Sequence, residues 1–107
     1  MLTAPKDPAE VKVLRLEYAT EIEATTTITS IDVSIATIVG IDAAPGNVLD
    51  GAIVIDNDKL YGLQRVKAGL DQCTYEIRGL ATDSAGLKHL VVATLPVAVQ
   101  QDRKSVV

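Results

Sequence analysis

Gly69-Leu70-Asp71-Gln72-Cys73-Thr74-Tyr75-Glu76-Ile77-Arg78-Gly79-Leu80-Ala81-Thr82-Asp83-Ser84-Ala85-Gly86 reads as a turn, a strand and a chain reversal. Small and polar residues lead into Tyr75, and period-two alternation then carries Tyr75, Ile77 and Ala81 to one face. Asp83-Ser84-Ala85-Gly86 has the residue types that reverse a chain between paired strands. A tyrosine entering a strand from such a turn has the form of a tyrosine corner: the ring fills the core and the hydroxyl bonds backbone around the bend. Leu70, Gly69, Tyr75 and Gly86 are therefore read as structural residues of a corner and a hairpin.

Strand signals continue on both sides. Val11 to Tyr18 alternates Leu14, Leu16 and Tyr18 against Arg15 and Glu17, which predicts a first strand with one buried face. Thr25 to Ser30 is β-branched and ill suited to helix. Ile31, Val33 and Ile35 share a parity that Ile28 does not, so a second strand with a bulge near Thr29-Ser30 is expected. A short third strand is expected at Ile38 to Ile41, followed by a turn at Ala43-Ala44-Pro45-Gly46-Asn47. Ala52 to Ile55 and Lys59 to Val66 flank Asp56-Asn57-Asp58 as a hairpin, with Gly62 marking a bulge or a close approach. Leu87 to Val99 forms the last strand, and Pro96 assigns its end to a sheet edge or a free amide side.

About seven short strands without an amphipathic helix predict an all-β fold, an antiparallel sandwich of the immunoglobulin or fibronectin type III kind, with a small barrel as competitor. A chain of 107 residues is one domain by length, and such a domain hides roughly two thirds of its unfolded surface without staples. The reading is an extended arm at 1–9, a sandwich at 10–99 and a flexible tail at 100–107. Apolar residues make up 48% with neither Phe nor Trp, so Val, Ile and Leu must build the core.

Composition also bounds function. A net charge of −4 with scattered basic residues argues against nucleic acid, which is bound through clustered Lys and Arg. The single basic pair, Arg103-Lys104, lies in the tail. One cysteine forms no internal disulfide, and no apolar run resembles a signal peptide or a membrane span, so neither secretion nor a membrane is expected.

No set of residues announces catalysis. One His and one Cys do not make a structural zinc site, and no Gly-x-Ser-x-Gly elbow surrounds Ser30, Ser34, Ser84 or Ser105. Asp50, Asp56, Asn57 and Asp58 are the best oxygen set for a hard cation, but they lack EF-hand spacing and a hairpin tip accounts for Asp-Asn-Asp. Cys73, beside Asp71 and Glu76, lacks the electropositive surroundings of a reactive thiolate. The expectation is a protein without enzymatic activity, metal or cofactor.

In order along residues 7 to 97, Asp7-Pro8, Thr27-Ile28 with Ser30, Ala68-Gly69, Thr74-Tyr75 and Ala85-Gly86 resemble a family of small immunoglobulin-like proteins of tailed phages, the phage fibre-to-tail adaptors. That family often has an aromatic residue where this chain has Val33 and a Gly-Gly pair where it has Ala68-Gly69. Fibronectin type III modules share the Leu70, Tyr75 and Ala85-Gly86 pattern. The phage resemblance implies a virion structural protein, synthesised in the host cytoplasm and present in multiple copies on a symmetric particle. Its partners would be portal, neck, tail or fibre proteins. Capsid decoration is the alternative within that class. A carbohydrate-binding accessory module is the alternative outside it, disfavoured by having only Tyr18, Tyr61 and Tyr75 as aromatic residues. Edge strands and the termini are the expected docking surfaces, with Pro5, Pro8, Arg103, Val106 and Val107 as candidate contacts.

Overall fold

Alternation along Lys12–Glu17, strand β1, places Leu14 and Leu16 in the core and leaves Lys12, Val13, Arg15 and Glu17 outside, with Tyr18 buried one residue beyond. The same two-residue period builds β2 (Ile28–Val39), β3 (Val54–Ile55), β4 (Tyr61–Val66), β5 (Cys73–Asp83) and β6 (Lys88–Val97). The structure is a computed structural model that describes residues 3–23 and 25–99. Two antiparallel three-stranded sheets, ordered β1-β4-β3 and β2-β5-β6, pack face to face. This is the strand order of an immunoglobulin-like sandwich whose opening strand is not paired to β1.

The opening segment joins the other sheet instead. Thr3 donates its amide to Thr94 O at 2.9 Å, Lys6 donates to Pro96 O at 2.9 Å, and Ala98 returns a bond to Lys6 O at 2.9 Å. Thr3–Lys6 thus lies parallel to β6 as a seventh extended segment. Pro96 falls on the strand that this arm covers, at the side of its sheet away from β5, where a missing N–H costs no bond to β5.

The second strand differs from its expected division. β2 runs on through Ile38 and Val39 against β5, so no separate strand forms at 38–41. Thr37-Ile38-Val39 carries the β-branched pattern on past position 36 and favours one long strand, and Gly40, at φ +83°, is where the chain turns away. The expected bulge is present: the register with β5 shifts between Ile28 and Ser30, and again between Thr37 and Val39. The Pro45–Val48 turn is 3₁₀, and its Val48 side chain drops into the core.

Leu14, Leu16 and Tyr18 meet Tyr75, Ile77, Ala81, Ala93, Leu95 and Val97 across the sandwich. Each aliphatic side chain removed from water in this way contributes roughly 1.5–3 kcal/mol. Two glycines let the sheets approach. A Cβ at Gly62 would stand 2.6 Å from Ile31 Cδ1, and one at Gly79 would stand 2.5 Å from the Tyr18 hydroxyl oxygen and 2.7 Å from Leu16 Cδ1. Through the opening at Gly79 the Tyr18 hydroxyl donates to the Gly79 carbonyl at 2.7 Å, which ties the end of β1 to the middle of β5. Burial alone pushes the Tyr18 hydroxyl up to about 12.

Gly79→Ala is expected to destabilise the protein by about 1–3 kcal/mol, the usual range for forcing a methyl into a packed core. Urea denaturation measures it, and an unchanged midpoint would contradict the close approach.

Candidate functional site

The corner is built from three segments that are distant in sequence. Tyr75 is fully buried at the start of β5; its hydroxyl accepts the Leu70 N–H at 2.9 Å and donates to Asp42 Oδ2 at 2.7 Å. Asp42 in turn accepts the Ala44 N–H at 2.9 Å, so the loop after β2 is tied to the same point. Burial, set against the Leu70 bond, pushes the Tyr75 hydroxyl up to about 12. Leu70 enters the corner through its backbone, with its side chain 49% exposed. Gly69, at φ +90°, lies between Val97 and Tyr75. Gly86 belongs to the opposite end of β5, in the hairpin to β6.

Lys6 braces the corner from the arm. Its side chain is fully buried, and its Nζ donates to Ala68 O at 2.7 Å and to Asp7 O at 2.9 Å. Desolvation holds its ammonium below the ordinary lysine value, against the pull of Glu10 and Asp7. Nothing local in the sequence marks Lys6 or Asp42 for these contacts. Asp42 lies 33 residues from Tyr75, and the register that brings them together follows only from β2 pairing with β5.

Polar residues with catalytic potential are engaged in the fold. His89 Nε2 lies 2.8 Å from Asp83 Oδ2, and Asp83 Oδ1 also accepts the Ala85 and Leu87 N–H groups at 2.9 Å each. The His89 bond above all, with those two amides, holds the Asp83 carboxyl below its ordinary value. The pair closes the β5–β6 reversal, while Ser84 Oγ accepts the Thr27 N–H at 3.2 Å. Cys73 is buried at the start of β5, its Sγ 3.7 Å from Ile41 O.

Of the acidic candidates, Asp50 and Asp56 have other partners. Asp50 pairs with Arg65 at 3.4 Å, and Asp56 accepts the Asn57 N–H at 2.8 Å within the hairpin tip. Among the described residues no group of three His, Cys, Asp or Glu side chains could hold a metal ion. Tyr18 and Tyr75 are buried, and the Arg15 guanidinium stands 3.8 Å over one face of the Tyr61 ring.

The corner end carries a set of exposed apolar residues, while Val11, Val13, Val54, Leu87 and Leu90 are exposed elsewhere. Val39, Ile41, Leu70 and Val99 are exposed, Ile41 by 90%, and Ile38 is exposed beside them on β2. All lie at the corner end: Val39 pairs with Thr74, Ile41 O meets Cys73, and the Val99 N–H is held by Asp71 at 2.8 Å. Of the contact residues expected from sequence, Pro5 is exposed on the arm along β6 and Pro8 is half-buried. Arg103, Val106 and Val107, with the whole of 100–107, lie outside the described residues. No helix among the described residues is long and apolar enough to cross a membrane.

Comparison with protein-family models, with curated proteins and with solved structures finds no match for this chain.

Two outcomes follow from these contacts. Tyr75→Phe removes an acceptor from the Leu70 N–H and a donor from Asp42, and is expected to cost about 1–3 kcal/mol in denaturant unfolding. Equal midpoints for the two proteins would refute the corner. Because the folded Asp83 carboxyl titrates below its unfolded value, its contribution is full above about pH 4 and lost as pH falls through the folded value. The stability deficit of Asp83→Asn should therefore be present at pH 7 and shrink on acidification, as thermal melts across pH would record.

Proposed function

We propose that this chain is a non-enzymatic structural module of a tailed-phage particle, an adaptor or fibre-attachment unit that binds other head, neck or tail proteins. The apolar corner end carries the reading. Ile38, Val39, Ile41, Leu70 and Val99 are gathered on loops and strand ends that the Tyr75 hydroxyl and Asp71 hold in place. A pre-ordered apolar surface loses little conformational freedom on docking, and multiple copies on a symmetric particle compensate for weak single contacts.

Three further observations support it. The all-β sandwich is the fold that the ordered tokens from Asp7-Pro8 to Ala85-Gly86 imply. His89, Asp83, Tyr75 and Cys73 serve turns and core. The negative net charge suits protein partners better than nucleic acid.

Purified particles provide the test. The protein is expected in them in many copies, visible by labelling or imaging. Ile41→Lys should reduce incorporation at least tenfold while leaving the denaturation midpoint within error, since that side chain touches solvent and not the core. Absence of the unaltered protein from particles would end this reading.

A further inference from the structure

Of the four sheet edges, three are protected. β6 is covered by the arm Thr3–Lys6, β1 presents Lys12, Arg15 and Glu17, and β3 is two residues long. β2 is different. Its twelve residues, Ile-Thr-Ser-Ile-Asp-Val-Ser-Ile-Ala-Thr-Ile-Val, contain one charge and no proline. Among the described residues, the backbone of 29–39 is hydrogen-bonded to β5 alone, with the Pro45–Val48 turn and β3 packed near β2 without pairing to it. Between its two register shifts lies a regular run, Ser30 to Thr37, whose inward residues Ile31, Val33 and Ile35 are only half-buried. A long, regular and nearly uncharged edge of this kind is a template for another strand.

We infer that the β2 edge pairs antiparallel with β2 of a second copy, about a two-fold axis through Val33, giving one six-stranded sheet across a dimer. Symmetry and charge select this register. Two antiparallel copies of one strand are related by an axis perpendicular to the sheet, so inward residues meet inward residues and the paired numbers must have an even sum. Centred on Val33, Ile31 faces Ile35 and Val33 faces its own copy, which removes the three half-buried aliphatic side chains from water on both subunits. Asp32 then faces Ser34 of the copy.

Charge complementarity supplies the rest. On the outer face, Ser34 pairs within its own sheet with Arg78, and Asp32 pairs with Leu80. A hollow of about 300 Å³ opens there, lined by Asp32, Val33, Ser34, Arg78, Leu80 and Leu90. In the Val33-centred register the row across the interface reads Arg78, Ser34, then Asp32 of the second copy. Two strand spacings, about 10 Å between backbones, separate the charged residues. Within its own chain the exposed Arg78 pairs with Glu76 at 2.8 Å; in the dimer its extended side chain exchanges that carboxylate for Asp32 of the second copy, reaching over the small serine, and the two-fold makes two such pairs. Centring on Ser34 would bring serine to serine and give Arg78 no acidic neighbour across the axis. The inference stands on the β2 edge and not on the placement of the protein in a particle.

Sedimentation equilibrium of the full chain decides it. A species of twice the 11.3 kDa chain mass is expected at micromolar to millimolar concentration. Asp32→Arg and Arg78→Asp, both at exposed positions, should each return the chain to monomer, and the double variant should restore the dimer. Val33→Cys should cross-link to its own copy on mild oxidation. A monomer at every concentration, a dimer indifferent to Asp32→Arg, or cross-linking through Ser34→Cys in place of Val33→Cys would overturn the inference. None of those results would bear on whether the protein resides in particles.

Discussion

The hydroxyl of Tyr75 is the joint on which this sandwich turns. A buried hydroxyl without a partner costs free energy comparable to a lost hydrogen bond, and here both its capacities are used, accepting from Leu70 and donating to Asp42. The loop before β5 and the loop after β2 are thereby fixed to one atom at one end of the molecule. Lys6 adds a second fixing from the arm, by capping the Ala68 carbonyl two residues before Leu70. The apolar residues at that end are consequently displayed on ordered backbone. Order of this kind is what turns exposed Ile and Val side chains into a docking surface.

The opposite end is organised by different chemistry. Asp83 gathers two turn amides and His89, so the β5–β6 reversal is closed by a carboxylate whose charge the fold favours. In the middle, Tyr18 and Gly79 tie the two sheets together through a hydrogen bond that only a residue without a side chain permits. The three tyrosines thus divide their labour. Tyr75 holds the corner, Tyr18 the sheet contact, and Tyr61 lies under Arg15.

Much of this fold was legible because it is local. Period-two alternation located Leu14, Leu16 and Tyr18 on one face, the phase break at Ile28 located the bulge, and Tyr75 announced its turn. The expected break of β2 at Ile38 is absent because a strand's end is set by what its neighbour offers, and β5 continues to pair as far as Thr74. Non-local pairings were not legible. Asp42 with Tyr75, Lys6 with Ala68 and Tyr18 with Gly79 join residues 33, 62 and 61 positions apart. Their partners are chosen by register and sheet packing, which composition does not encode. Surface features were legible only as residue types: the sequence contains Ile41 and Val99, but their assembly at the corner end is a product of topology.

Amide hydrogen exchange at Leu70 reads the Tyr75 joint at its own atom. Leu70 is exposed and lies outside any strand, so its N–H would exchange at the rate of an ordinary loop amide were it not held by the Tyr75 hydroxyl. Protection comparable to that of the β5 core amides is expected, lost selectively at Leu70 in Tyr75→Phe. Loop-like exchange at Leu70 in the unaltered protein would contradict it.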